Sequence, residues 1–249
     1  MVTLPVLVDF LAETLQVSRF KDACPNGLQV EGRARVECLV TGVTACRALL
    51  DAAVAARADA VLVHHGYFWR NEPVVVTGMR MRRLKTLLQN DVSLLAYHLP
   101  LDVHPELGNN AQFARRLDLE IVGPLNADGV GNFGRLRNPV DLSRLGAILA
   151  TNLGRVPLII PGGDHGIETV AWCTGAAQGY IEQAAALGVD AFISGEISEQ
   201  TVHVAREAGV HYFAAGHHAT ERYGVQAVGA LLAARFGIEH RFIDIENPA

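Results

Sequence analysis

Residues 36–65 read VECLVTGVTACRALLDAAVAARADAVLVHH, and their pattern predicts the class of the fold. It begins with an apolar, β-branched segment, VECLVTGV (36–43), which is typical of a buried strand. The alanine- and leucine-rich segment that follows (46–60) predicts a helix, and VLVHH (61–65) predicts a second short strand. A strand, a helix and another strand in this order predict two parallel strands joined by a crossover helix.

The same alternation continues through the rest of the chain. In the first half we predict a helix at 81–90, a strand at 93–98, a helix at 111–118 and a strand at 119–123. In the second half we predict strands at 169–175, 192–196, 211–216 and 239–245, with helices between them. The sequence therefore predicts an α/β protein with mostly parallel sheets flanked by helices.

Two short landmarks recur in both halves. A Thr-Gly pair ends the segments LVTG (39–42) and TVAWCTG (169–175), and an Asp-Ala pair precedes the strand that follows each of them. These matches predict an internal duplication. We place the first α/β domain at 1–125 and the second at 126–249, and the C-terminal segment can pack back on the first domain.

The composition narrows the class of protein. The formal net charge of −5 argues against general nucleic-acid binding, which usually requires a basic face, but a small anionic ligand needs only a few local cations. No apolar run reaches the length of a membrane span, and the N-terminus does not resemble a signal peptide. The four cysteines form no CxxC pair, so we expect reduced thiols and a cytoplasmic protein without a membrane partner.

Histidines and carboxylates follow the predicted strands at their C-terminal ends, where functional side chains collect in parallel sheets. Two histidines are adjacent after one strand, and each half also contains a His-x-x-x-carboxylate element after a strand. If the two halves face each other, these side chains meet in the cleft between the domains. The six predicted metal ligands are His64, His65, His98, Asp102, His217 and Glu221.

The mixture of imidazole and carboxylate groups suits Zn, Fe, Mn, Co or Ni. Six ligands exceed the three or four protein ligands of a mononuclear catalytic site, so we expect two divalent metal ions per chain. Asp102 or Glu221 is the natural bridge, because a carboxylate offers two oxygens. A histidine at a strand end is more often a polar loop residue, and only the combination of elements favours the metal site.

Several neighbouring residues are open to two interpretations. Glu196 is a candidate catalytic base, or it compensates charge at a helix N-terminus. His218 is a candidate general acid or base, and His104 is either a supporting residue or a solvated loop histidine. Arg222 either binds a phosphate or is an ordinary surface arginine.

The strings DACPNGLQVEG, VLVHHGYFW, RLKTLLQNDVSLLAYHLPLDVHPELGNNAQ, FISGEISEQTVHVAREAG and AAGHHATERYG resemble the YbgI-like, or Nif three-like, dinuclear-metal family. Its members are labelled GTP cyclohydrolase 1 type 2 homologues. The resemblance runs from about Asp22 to Ala249 and is weakest around 125–168. The motifs HHG, HLPLD and GHHATE contain the six predicted ligands, so the resemblance implies the same metal site.

The resemblance also implies an assembly and an activity. The implied assembly is a toroidal homohexamer of two-domain subunits, each with a dimetal site in its cleft. The implied activity is that of a metal-dependent hydrolase of a small anionic compound, and specifically the opening of the guanine imidazole ring of GTP. The alternative is a non-catalytic, metal-binding or regulatory ring-shaped interaction protein.

Overall fold

The computed structural model describes residues 1–249 and forms two compact units. The first unit comprises Met1–Leu107 and Gly224–Ile245, and the second comprises Gly108–Tyr223 and Glu246–Ala249. The strands are β1 (Val2–Thr3), β2 (Gly27–Val30), β3 (Arg35–Val36), β4 (Cys38–Thr44), β5 (Ala60–His65), β6 (Ser93–Ala96), β7 (Leu119–Pro124), β8 (Asn132–Val140), β9 (Leu158–Ile160), β10 (Ile167–Cys173), β11 (Ala191–Ser194), β12 (His211–Ala214) and β13 (Glu239–Phe242). The α-helices are α1 (Leu4–Thr14), α2 (Arg47–Ala55), α3 (Gly78–Gln89), α4 (Leu99–Val103), α5 (Asn109–Leu117), α6 (Leu142–Leu153), α7 (Ile181–Ala186), α8 (Glu199–Ala208), α9 (His217–Thr220) and α10 (Arg222–Phe236).

The first unit is built on a five-stranded sheet with the order β13-β4-β5-β6-β2. All of its strand pairs are parallel except β2 with β6. Successive side chains of a strand point to opposite faces, so neighbouring residues of β4 enter different cores. Leu39 packs with residues of α1 and α10, whereas Val40 packs with residues of α2 and α3. Both faces are therefore covered, which explains why the central strands are apolar throughout.

The second unit contains a six-stranded sheet with the order β7-β8-β10-β11-β12-β9. Its central strands β10, β11 and β12 are parallel, and the outer strands pair antiparallel. Trp172 of β10 is fully buried against α5 and α6, and its Nε1 donates to the carbonyl oxygen of Asn110 at 3.0 Å. Phe192 and Tyr212 pack on the opposite face with α7 and α8.

The predicted fold class, α/β with sheets flanked by helices, is confirmed. The last strand, β13, pairs with β4 in the first sheet, which is an arrangement that the sequence prediction allowed. The sequence divided the chain at residue 125, whereas residues 108–125 pack with the second unit because Phe113 and Leu117 belong to its core. Residues 126–168 contain β8, α6 and β9, for which we predicted no elements.

The Asp-Ala landmarks have the same structural role in each unit. One side-chain oxygen of Asp59 accepts from the backbone N–H groups of residues 37–38, at 2.8 and 2.9 Å. One side-chain oxygen of Asp190 accepts from the N–H groups of residues 168–169, at 2.9 and 2.8 Å. In each case the aspartate precedes one parallel strand and holds the start of its neighbour. The internal duplication itself stays a prediction.

Two observations concern the environment of the chain. No helix has the length and apolar character that crossing a bilayer requires. None of the four cysteines takes part in a disulfide, and Cys24, Cys38 and Cys173 are buried.

Candidate metal centre

His64 and His65 end β5, and their ring centroids lie 4.6 Å apart. His64 is completely buried, and its Nδ1 lies 2.9 Å from the carbonyl oxygen of Tyr97. A carbonyl only accepts, so Nδ1 is the protonated nitrogen and Nε2 carries the lone pair in the neutral ring. The Nε2 atom lies 3.5 Å from Oδ1 of Asp102. Nδ1 of His65 lies 3.2 Å from the hydroxyl of Thr44.

His98 lies between the end of β6 and the start of α4, and Asp102 lies within that helix. The centroid of the His98 ring is 5.1 Å from that of His64 and 5.9 Å from that of His65. Each of the three rings offers a nitrogen, and these nitrogens lie within 4.8 Å of one another. The indole of Trp69 stands edge-on to His98, with centroids 5.0 Å apart, so it covers one side of the cluster. The first unit thus brings its four predicted ligands together.

Asp22 supports His98, and the sequence did not predict this role. Its Oδ1 lies 2.8 Å from Nδ1 of His98, and its Oδ2 accepts from the N–H of Leu99 at 2.9 Å. Asn26 donates to the same Oδ2, and its own Oδ1 accepts from the N–H of His98 at 2.7 Å. Burial would raise the pKa of Asp22, but the hydrogen bonds and the charge of His98 outweigh it and hold the pKa well below its usual range.

In the second unit, His217 begins α9 and Glu221 follows its last residue. Nε2 of His217 lies 3.0 Å from Oε2 of Glu221, and its Nδ1 lies 2.8 Å from Oε1 of Glu196. Burial would lower the pKa of His217, but the hydrogen bonds and negative charges of the two glutamates outweigh it and raise the pKa to about 9. The second unit therefore brings its two predicted ligands into contact.

Glycines allow the backbone to approach this pair closely. Gly175, which completes the Thr-Gly landmark after β10, has φ +74°. A Cβ at this position would overlap Oε1 of Glu221 and lie 3.3 Å from Nε2 of His217. A Cβ on Gly195 would lie 2.6 Å from Cα of His217. Glycine is the only residue that tolerates both the conformation and the lack of space at Gly175.

The donor set fits a divalent transition metal. All four predicted histidine ligands have Nδ1 within hydrogen-bond distance of an oxygen that belongs to none of the six predicted ligands. Metal-ligating histidines commonly engage their second nitrogen in this way, which fixes the ring orientation. Carboxylates accompany the imidazoles in both units, and such a mixture suits Zn, Fe, Mn, Co or Ni.

The remaining candidates make other contacts within the fold. His104 accepts from the N–H groups of Glu106 and Leu107 through Nδ1, so it stabilises a turn, and burial lowers its pKa. Nη2 of Arg222 donates to the carbonyl oxygen of Leu153 at 2.6 Å, which ties the guanidinium to the fold. His218 is buried, with its backbone N–H on the carbonyl oxygen of Ala249 at 3.2 Å.

Glu196 contacts Nδ1 of His217, and its side chain is 40% exposed. Its observed contact orients a predicted ligand. The catalytic roles predicted for Glu196 and His218 remain predictions.

Comparisons with known proteins identify the family of the chain. Residues 2–248 match the family model described as Duf34/NIF3 (NGG1p interacting factor 3). The chain is 58% identical over 251 residues to a "GTP cyclohydrolase 1 type 2 homolog" of Pseudomonas aeruginosa, which covers 100% of this chain and 99% of the relative. It superposes on the solved structure of "protein ybgI, unknown function" with a TM-score of 0.97 and 50% identity, and each chain is covered completely. The structure of TTHA1606 from Thermus thermophilus gives a TM-score of 0.91 and 36% identity, again with complete coverage of both chains.

Proposed function

This chain belongs to the Duf34/NIF3 family, and we propose that it is a dinuclear metal-binding protein that hydrolyses a small anionic compound. One observation carries the proposal. Nδ1 of each of the four candidate histidines lies 2.8–3.2 Å from a carbonyl, hydroxyl or carboxylate oxygen, which supports metal coordination through Nε2. The proposed ligands are His64, His65, His98, Asp102, His217 and Glu221.

The protein itself orients the proposed metal ligands and shields them from water. Asp22 and Glu196 orient their histidines, so the ligand geometry is set before a metal arrives. The complete burial of His64 and the near burial of Glu221 keep these side chains out of bulk water, where electrostatic interactions are weaker. A bound divalent ion would act as a Lewis acid and activate water at neutral pH.

GTP is the specific substrate we propose, because a 58% identical relative bears the name GTP cyclohydrolase 1 type 2 homolog. The reaction is a hydrolysis and needs no oxidant or reductant. Water adds at C8 of guanine and the C8–N9 bond breaks, which leaves a formamide on N7. A second water releases this group as formate.

The metal content tests the site. Purified wild-type protein is expected to contain about two divalent ions per chain by elemental analysis. His64→Ala, Asp102→Ala and Glu221→Ala should each lower that number, whereas His203→Ala is a matched control because His203 is exposed on α8. Unchanged metal content in the three ligand variants would contradict the assignment.

The substrate is tested separately. Protein loaded in turn with each candidate metal is incubated with GTP, and formate and the ring-opened product are measured. Turnover that is lost in Asp102→Ala supports the hydrolase. Stoichiometric metal binding without turnover on GTP would remove this substrate and favour the non-catalytic alternative.

We also propose a homohexamer in the cytoplasm. The support for assembly is a run of exposed apolar side chains at Val74, Val75, Val76 and Met79, with exposures of 90%, 61%, 49% and 58%. Apolar surface of this kind commonly marks a protein–protein contact. Sedimentation equilibrium at several concentrations would give the mass of the assembly, and a monomer would refute this part of the proposal.

A further inference from the structure

We propose that Asp22 is a positioning residue that fixes the proton of His98 on Nδ1 and so presents the Nε2 lone pair for coordination. This inference rests on the proposed function, since it takes His98 as a metal ligand. It assigns a role to the DACPNG segment, which contributes none of the six ligands.

Both oxygens of Asp22 are fully engaged by donors. Oδ1 accepts from the N–H of Ala23 at 2.6 Å and lies 2.8 Å from Nδ1 of His98. Oδ2 accepts from the N–H of Leu99 at 2.9 Å and from Nδ2 of Asn26 at 3.0 Å. The Asp22 side chain is only 3% exposed, so water does not compete strongly for these positions. An ionised carboxylate only accepts, so Nδ1 of His98 must be the donor.

The same loop also holds the backbone of His98. Asn26 accepts from the backbone N–H of His98 through Oδ1 while it donates to Asp22 through Nδ2. This arrangement holds both the backbone and the side chain of His98 against the segment that contains Asp22 and Asn26. A carboxylate behind a ligating imidazole sets its tautomer and raises its basicity, and the loss of such a partner typically costs about 10–100-fold in metal affinity.

A rival interpretation is that Asp22 is itself a metal ligand. Asp22, Cys24 and His98 form a group whose potential ligand atoms lie within 4.8 Å of one another. A metal in that group would have to displace donors from Asp22, which accepts four of them. Hydrogen bonds to charged groups contribute about 1.5–3 kcal/mol each, so this displacement is unfavourable. Cys24→Ala separates the interpretations, because it removes a ligand only in the rival one.

The Asp22→Asn substitution gives the sharpest test, because the surrounding donors decide which way the amide points. On the Oδ2 side an NH₂ group would meet two donors, from Leu99 and Asn26. On the Oδ1 side it would meet the N–H of Ala23 and Nδ1 of His98, and the latter can become an acceptor. The amide should therefore direct its NH₂ toward His98, which moves the imidazole proton to Nε2 and blocks the coordinating atom.

Glu196 provides a matched control in the second unit. It contacts Nδ1 of His217 at 2.8 Å but is 40% exposed, and no comparable pair of donors fixes its other oxygen. A glutamine at 196 can keep its oxygen toward His217. Glu196→Gln should therefore keep the proton on Nδ1 of His217.

The experiment combines imidazole ¹⁵N NMR of metal-stripped protein with metal titration by calorimetry, using Zn²⁺. In wild-type protein the neutral His98 ring should be protonated on Nδ1, and in Asp22→Asn on Nε2. Zn²⁺ affinity should fall about 10–100-fold in Asp22→Ala and at least as far in Asp22→Asn. Cys24→Ala should match wild type, and Glu196→Gln should lose less than Asp22→Asn.

The outcomes distinguish a failure of the positioning role of Asp22 from a failure of the proposed metal site. A wild-type His98 protonated on Nε2 would overturn the positioning role, even if His98→Ala still abolished metal binding and upheld the site. An inverted tautomer in Asp22→Asn with unchanged Zn²⁺ affinity would instead remove His98 from the ligand set. Loss of affinity in Cys24→Ala would overturn the positioning role in favour of the rival site.

Discussion

Gly175→Ala should disturb the contact between His217 and Glu221, because the added methyl group would meet the Glu221 carboxylate. Gly175 has φ +74°, a conformation that costs an alanine about 1–2 kcal/mol. Its new Cβ would also overlap Oε1 of Glu221, whose side chain is only 4% exposed and has little room to move. Overpacking of this kind adds about 1–3 kcal/mol, so the free energy of unfolding should fall by about 2–5 kcal/mol in total.

Gly188→Ala isolates the contribution of the overlap. Gly188 has φ +69°, and a Cβ there would meet nothing within 4 Å, so only the backbone cost of about 1–2 kcal/mol applies. Urea denaturation of metal-free protein measures both losses, and elemental analysis measures the metal content of both variants. Gly175→Ala should be the less stable variant and should bind less metal. Equal stability losses together with wild-type metal content in both variants would refute this reasoning.

Three further perturbations test the fold and the site. Asp190→Ala should cost about 1.5–3 kcal/mol in urea denaturation. Burial would raise the pKa of Asp190, but hydrogen bonds from residues 168–169 outweigh it and lower the pKa. The stabilisation by Asp190 is therefore complete above the unfolded-state pKa and is lost as the pH falls through the folded-state pKa. The stabilities of the variant and of wild type should converge in acid. Trp172→Phe removes the hydrogen bond from Nε1 to the carbonyl oxygen of Asn110, and we expect a loss of about 0.5–1.5 kcal/mol by the same assay. A chelator should lower the melting temperature of wild-type protein but not of Asp102→Ala, because a metal ion that binds only the folded state stabilises it. Equal shifts of the melting temperature in the two proteins would contradict this.

The central strands could be predicted from the sequence because their apolar character is local. The stretch 36–65 contains two fully covered parallel strands, and nothing outside it is needed to recognise them. β8 escaped prediction because its nine residues include Gly134, Pro139 and several exposed polar side chains. The sequence allowed the C-terminal segment to pack on the first domain but could not decide it, since the place of β13 depends on partners far away in the chain, such as the contact of His240 with Thr41 across 199 positions.

The site also contains residues that the local sequence predicts and contacts that depend on distant parts of the chain. The candidate histidines were predictable because the C-terminal ends of parallel strands collect functional side chains. Asp22 was not, because it lies 76 positions before His98 and in a segment with no regular structure. The glutamate at 196 was predicted near the site, but its contact with Nδ1 of His217 depends on loop geometry that spacing does not encode.

The first unit is built from two separate segments of the chain, and this has a consequence for biosynthesis. Its sheet needs β13 beside β4, and one of its cores needs Val225, Val228 and Leu232 of α10. The ribosome adds these residues well after β4, because nearly the whole second unit, Gly108–Tyr223, lies between them in the chain. A nascent chain therefore carries an unfinished apolar surface until α10 and β13 have been made, and a chain that stops before residue 224 leaves it uncovered. Products truncated before that point should be recognised by chaperones and proteases, so the first unit can fold only after most of the second has been synthesised.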